Sequence, residues 1–158
     1  MGTTYPKLYP LDAQLSKGYT QSHMISIIAS SIAGVLSVML LDYIWLAKIA
    51  KGFYLDKLSS HITVSSGSLV PYLPAVPLVY IVAITAIWIF ALPSATTGMQ
   101  AFANGALLGF FMYAFYDLTN LATLKDYPWS LAIVDTLWGT LLIGITTLVI
   151  FYVKGLLA

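Results

Sequence analysis

Asp42, Asp117 and Asp135 each sit in a stretch otherwise apolar enough to cross a bilayer, which makes them the residues best placed to do chemistry. An ionisable residue at the centre of a membrane helix costs roughly 2.5 to 3.5 kcal/mol on insertion scales, and it usually faces the bundle interior or a cavity. Asp117 has company on its own helix face, with Tyr113 four residues before it and Asn120 three residues after it. Tyr116, Thr119, Thr123 and Thr136 are further candidates for a polar set. No lysine lies inside the apolar stretches, so the carboxylates lack a buried cationic partner and cannot all be charged cheaply in a low dielectric. Three arrangements fit: shared protons with hydrogen bonds to Asn120 and the tyrosines, a hard cation held by oxygen ligands, or a water-filled cavity.

The elements that must position these residues follow from composition. Of 158 residues, 59% are hydrophobic and 8% charged, against about 25% charged in a soluble domain. The chain therefore reads as an all-α integral membrane protein, with the lipid bilayer as its first partner. A formal net charge of +1 leaves no basic patch for nucleic acid. The absence of cysteine removes disulfides and thiolate sites, and His23 and His61 are too few for a three-histidine centre. No metal and no cofactor is expected.

Four apolar helices are predicted, at 24–47, 75–92, 99–124 and 129–153, behind a polar arm of residues 1–23. The arm lacks the apolar core of a signal peptide and the arginine-rich pattern of a transit peptide, so it reads as an uncleaved segment. Gly34 continues a four-residue spacing from Ser26 and Ser30, Gly105 and Gly109 form a GxxxG pair, and Gly139 and Gly144 give the last helix a small-residue face. Trp45 and Trp129 suit the bilayer interface. A short interfacial helix is expected up to Leu58, then a loop over SSHITVSSGS, then a helix start delayed by Pro71, Pro74 and Pro77.

Four spans place both termini on one side and the two long connections on the other. The loop side carries Lys48, Lys51, Lys57 and Lys125, against Lys7, Lys17 and Lys154 on the terminal side, so the positive-inside rule points the loops toward the cytoplasm or matrix. At 1.5 Å rise per residue, Asp42, Asp117 and Asp135 then lie roughly 7 to 12 Å from the loop-side helix ends. They share one layer. Asp42 and Trp45 also repeat at the spacing of Asp135 and Trp138 in a helix running the opposite way, as an inverted repeat would, but four residues are weak evidence of duplication and chance or shared packing explains them better.

The blocks Leu41-Asp42-Tyr43-Ile44-Trp45-Leu46, Ala50-Lys51-Gly52-Phe53-Tyr54, Tyr113 through Leu124 (YAFYDLTNLATL) and Val134-Asp135-Thr136-Leu137-Trp138-Gly139-Thr140 resemble those of a family of small predicted membrane proteins. That family is common in bacteria and carries domain-of-unknown-function number 2177. The resemblance covers about residues 24–153 and implies a four-helix membrane topology. It implies no activity.

Function is expected to be non-catalytic. The chain reads first as an accessory or structural subunit of a larger membrane complex, or as a self-associating protein, with Asp42, Asp117, Asn120, Asp135, Tyr113 and Tyr116 fixing helix packing. A respiratory or photosynthetic complex is the expected host. The expected location is an organellar inner membrane, the mitochondrial one first, or a bacterial plasma membrane. A proton- or cation-coupled transporter using the aspartates stands second. An intramembrane aspartyl hydrolase comes last, because the Gly-x-Gly-Asp element of such enzymes is missing around Asp135, which follows Ile133 and Val134.

Overall fold

The computed structural model describes residues 11–58, 64–65, 68–69 and 71–157, with side chains for 20–58 and 71–157. Among the described residues the secondary structure is helical apart from one minimal hairpin. Its elements are α1 (Leu11–Ile44), α2 (Lys51–Leu58), β1 (Val64–Ser65), β2 (Ser68–Leu69), α3 (Val76–Ala86), α4 (Gly98–Thr123) and α5 (Trp129–Leu157). Two π-helical turns extend α1 over Trp45–Ile49 and α3 over Ile87–Ala91. Among the described residues, Thr20–Ile49 and Trp129–Leu157 are long and apolar enough to cross a membrane, and Val76–Ala91 is apolar but shorter.

The helix ends follow local chemistry. Pro77 falls in the first turn of α3, where a missing N–H costs nothing, and the residues before it form a tight turn closed by Ala75 N–H to the Tyr72 carbonyl at 3.0 Å. Thr97 caps α4 by accepting from the Gln100 N–H at 3.2 Å, while the Gln100 side chain reaches back to the Thr96 N–H at 2.9 Å. Asn104 donates to the Ala91 carbonyl and to Ser94 Oγ, each at 3.0 Å, so α4 holds the end of the preceding helix. Between α4 and α5, Asp126 adopts a left-handed conformation, φ 58°, which aspartate tolerates better than most residues.

Two ranges differ from the sequence reading. The first helix begins at Leu11 rather than at residue 24, because nothing between Pro10 and the apolar stretch interrupts helical hydrogen bonding. Residues 1–10 lie outside the described part. The expected loop after Leu58 contains the β1–β2 hairpin, in which Val64 pairs with Leu69 and Ser65 with Ser68. His61 lies outside the described residues.

α5 is the hub, packed antiparallel on both α4 and α1. Ser26, Ser30, Gly34 and Val38 make the buried stripe of α1, with Ser26 Oγ donating to the Lys154 carbonyl at 3.2 Å and a Cβ at Gly34 falling 2.6 Å from Ile150 Cδ1. On α4, a Cβ at Gly105 would stand 2.8 Å from the Ile143 carbonyl oxygen, one at Gly109 would meet the Gly139 carbonyl, and Gly144 of α5 lies against Phe102. Small residues thus line the seams. Large ones face outward: Ile25, Ile28, Ile32, Leu36 and Leu40 of α1 are exposed, an inversion of the soluble pattern that suits contact with lipid tails.

Candidate functional site

At the end of the fold that carries α2, the chain builds a polar chamber. The regular helix of α1 gives way just beyond Asp42 to the π turn, closed by Ala50 N–H to the Trp45 carbonyl at 2.7 Å. Ala50 leaves helical geometry at φ −102° and ψ 5°, and the chain bends into α2. That bend brings Tyr54 onto Ala50 and Leu131, where its side chain is buried. A wide turn of this kind re-aims side chains. Here it turns Trp45, expected at the interface, inward onto Trp138, while Trp129 at the start of α5 stays 67% exposed.

The hydrogen bonds cross between elements. Trp138 Nε1 donates to Asp42 Oδ1 at 3.1 Å, linking α5 to α1. Trp45 Nε1 donates to the Tyr54 hydroxyl at 3.2 Å, and that hydroxyl donates in turn to Asp135 Oδ1, linking α1, α2 and α5. Tyr127, in the turn after α4, donates to Asp117 Oδ1 at 2.8 Å. Thr136 Oγ1 stands 3.5 Å from Asp117 Oδ2, at the limit of a hydrogen bond. Burial, followed by the Asp135 charge, pushes the Tyr54 hydroxyl up from the usual tyrosine range. Burial and the bond to Asp117 do the same for Tyr127. Both phenols therefore stay protonated donors at any physiological pH.

These bonds divide the three aspartates. Asp42 and Asp135 line a cavity of about 370 Å³ together with Tyr54, Tyr113, Tyr116 and Asn120. Trp138 and Tyr127 complete its polar and aromatic wall, and among the described residues no lysine or histidine lines it. Each of the two carboxylates has one oxygen hydrogen bonded and a second with no bonded partner among the described residues. Asp117 is different. It is 1% exposed, lies outside the cavity wall, and finds donors for both oxygens in Tyr127 and Thr136.

The other expected members fall on either side of that division. Tyr113 lies over Gly139, whose missing Cβ makes room for the ring. Tyr116 lines the cavity with its side chain 60% exposed, and Asn120 lies beside the Tyr127 hydroxyl. Thr119 and Thr123 instead bond the carbonyls of Phe115 and Thr119 on their own helix and take no part. Among the described residues, no three acidic, histidine or cysteine side chains come together in a way that could hold a metal ion.

A second cavity of about 540 Å³ opens beside the first. The two share Asp42, Tyr113, Tyr116 and Asp135. Beyond them its wall is mostly apolar, from Leu78, Val79 and Val82 of α3 with Met112 of α4 and Ile143 of α5, with Tyr80 of α3 as its one further polar side chain among the described residues. Residues Tyr54, Tyr127 and Trp138, which complete the chamber, were not singled out as site members from the sequence. The one available signal was the repeated Asp-x-x-Trp spacing, which marks Trp138.

The family model described as "Predicted membrane protein (DUF2177)" matches residues 27–152. The chain belongs to this family. No curated protein and no solved structure matches it. The DUF2177 match spans every residue of the chamber and of the Asp117 cluster, together with all of α2 to α4 and most of α1 and α5. With the two span-length helices and the outward apolar belt, membership makes this a small helical membrane protein.

Proposed function

We propose that this chain is a non-catalytic four-helix membrane protein that binds a small cationic ligand in the loop-side chamber, with both termini at the opposite face. The observation that carries the reading is that Asp42 and Asp135 each keep one carboxylate oxygen with no bonded partner among the described residues, inside an aromatic-walled cavity. A pure helix lock has no use for open acceptors, since buried polar networks stabilise when every member is satisfied. Asp117 is the satisfied member and serves as the lock. Carboxylates attract a cation, and the faces of tyrosine and tryptophan add cation–π attraction of about 0.5 to 2 kcal/mol each. Among the described residues no hydrogen bond joins two carboxylates, which weighs against an aspartyl-hydrolase dyad. The close seam of Gly105 and Gly109 with α5 favours a one-sided binding site over a pore.

The test is titration of the full chain in phosphatidylcholine nanodiscs with tetramethylammonium chloride, matched against sodium chloride, following tryptophan fluorescence in a Trp88→Phe/Trp129→Phe background that leaves Trp45 and Trp138 as the emitters. Wild type saturates. The double variant Asp42→Asn/Asp135→Asn does not, and Asp117→Asn lowers the melting temperature yet still saturates. A folded wild type with no saturable response would remove the reading.

An accessory role in a larger assembly stands second, because α1 has 34 residues, roughly 50 Å at 1.5 Å rise, against a hydrocarbon core of about 30 Å. Its N-terminal part projects beyond the bilayer as a handle for a partner subunit. Mild solubilisation from native membranes would recover such a partner at fixed stoichiometry. A monodisperse preparation of this chain alone would argue against one.

A further inference from the structure

We infer that the chamber and the adjoining groove form one continuous site for a cationic amphiphile, with an alkylammonium headgroup between Asp42 and Asp135 and its hydrocarbon chain along α3. This rests on the chamber reading above and goes beyond it in naming the ligand class.

Two features of the site point to an occupant with two unlike ends. The chamber end carries both acids and the rings of Tyr54, Tyr127 and Trp138, with no basic side chain among the described residues of its wall. The groove end is walled mainly by Leu78, Val79, Val82, Met112 and Ile143, with Tyr80 beside them. Asp42, Tyr113, Tyr116 and Asp135 belong to both, so a molecule in one touches the boundary of the other. The groove also opens outward. Leu78, Val79 and Val82 are all mostly exposed, and α3 packs chiefly on α1 while its π turn is the part that meets α4. A ligand dissolved in the bilayer can therefore reach the chamber sideways, between α3 and α4, without crossing water.

Charge decides the class. A phosphate-bearing lipid head would set its anion against two carboxylates with no basic group among the described residues of either wall, whereas an ammonium meets complementary charge and aromatic faces. Lipid tails are as apolar as the groove, so the chain adds little affinity per methylene over the bilayer itself. Its contribution is to concentrate the cation in the membrane and align it with the opening. The occupant is thus a long-chain amine or quaternary ammonium rather than a zwitterionic phospholipid.

The experiment compares four probes on the full chain in phosphatidylcholine nanodiscs, read as saturable change in tryptophan fluorescence: tetramethylammonium, dodecyltrimethylammonium, dodecylphosphocholine and dodecyl sulfate. Dodecyltrimethylammonium should saturate at a mole fraction at least about tenfold below either dodecyl probe that bears an anionic group, a factor of the size one charge-assisted contact supplies. Asp42→Asn/Asp135→Asn should abolish that preference. A groove-filling pair, Val79→Trp/Val82→Trp at exposed positions, should weaken dodecyltrimethylammonium while leaving tetramethylammonium unchanged. If tetramethylammonium binds and the groove pair changes nothing, the amphiphile inference falls and the chamber reading stands. If no ammonium binds, both fall. If dodecyl sulfate or dodecylphosphocholine binds equally well, the charge argument is wrong.

Discussion

The indole rings of Trp45 and Trp138 lie parallel, 3° apart in plane and 4.5 Å between centroids, and each donates its N–H away from the stack toward the acid of the opposite motif. Trp138 reaches Asp42 directly, and Trp45 reaches Asp135 through the Tyr54 hydroxyl. The repeated Asp-x-x-Trp spacing is thus a packing relationship between two antiparallel helices, whatever its origin. The two routes differ in one respect, because only the first is a direct bond.

That difference predicts unequal costs for two conservative changes. Trp138→Phe keeps the stack but withdraws the donor from Asp42, leaving a carboxylate in a partly buried wall short of a bond. Trp45→Phe withdraws a donor from a hydroxyl that still has Asp135 to bind. Hydrogen bonds between membrane helices average about 0.6 kcal/mol and reach about 1.7, and Trp138→Phe should fall at the upper end with Trp45→Phe near or below the mean. Thermal unfolding in detergent measures both. Equal losses would mean that the stack, and not the hydrogen bonds, holds α1 to α5.

Asp117 should behave as a lock rather than a ligand contact. Asp117→Ala strands the Tyr127 hydroxyl and opens a void at a position 1% exposed, and an unsatisfied buried group costs about 1 to 3 kcal/mol. Tyr127→Phe should reproduce much of the loss. A double-mutant cycle between them should show coupling above about 0.5 kcal/mol, the range for residues in direct contact. Ammonium affinity in Asp117→Ala should change little. Additive losses would place the lock elsewhere.

That the three aspartates lie toward one end of the fold was legible in the sequence, since helix direction and a 1.5 Å rise are enough to bring them there. Their division into a satisfied Asp117 and an open pair was not. It depends on where Tyr54 and Tyr127 end up, and those positions are set by a π turn after Ile44 and by a left-handed Asp126. Neither leaves a periodic trace, since both are departures from periodicity at chain bends. The seams fared better, because Gly105 with Gly109 and Ser26 with Gly34 recur at helical spacing and small side chains in an apolar helix have few other uses. The hairpin after α2 was missed because SSHITVSSGS is short and polar, and a two-residue strand pair is beyond what alternation can reveal.

Alkaline pH should expose the buried phenol of Tyr54. In the folded chain its hydroxyl holds its proton above the ordinary tyrosine value of 10.0, through burial and then the Asp135 charge, while the unfolded chain releases it there. Below that value both states are protonated and the group adds no slope. Above it the unfolded state binds fewer protons, so stability falls as pH rises, by up to about 1.4 kcal/mol per unit for one such group. Unfolding midpoints at pH 9 and pH 11 should therefore drop less for Tyr54→Phe than for wild type. An equal drop would show that Tyr54 ionises freely and is not sealed against Asp135.

Glycine substitutions separate backbone contact from mere helical position. A Cβ at Gly109 would meet the Gly139 carbonyl, and one at Gly105 would stand 2.8 Å from the Ile143 carbonyl oxygen. Those obstacles are main chain of α5 and cannot rotate aside, so Gly109→Ala and Gly105→Ala must push α4 from α5 and should each cost about 1 to 3 kcal/mol as overpacking does. Gly52 in α2 meets nothing within 4 Å of a built Cβ, and there alanine should stabilise by roughly 0.5 to 1 kcal/mol through the lost flexibility of glycine in a helix. The opposite signs make a control internal to one measurement, thermal unfolding of all three variants in the same detergent. Because the α4–α5 seam also sets the spacing of Tyr113 over Gly139, Gly109→Ala should weaken ammonium binding at the chamber while Gly52→Ala leaves it intact. Tight binding retained by a destabilised Gly109→Ala would show that the chamber does not depend on that seam.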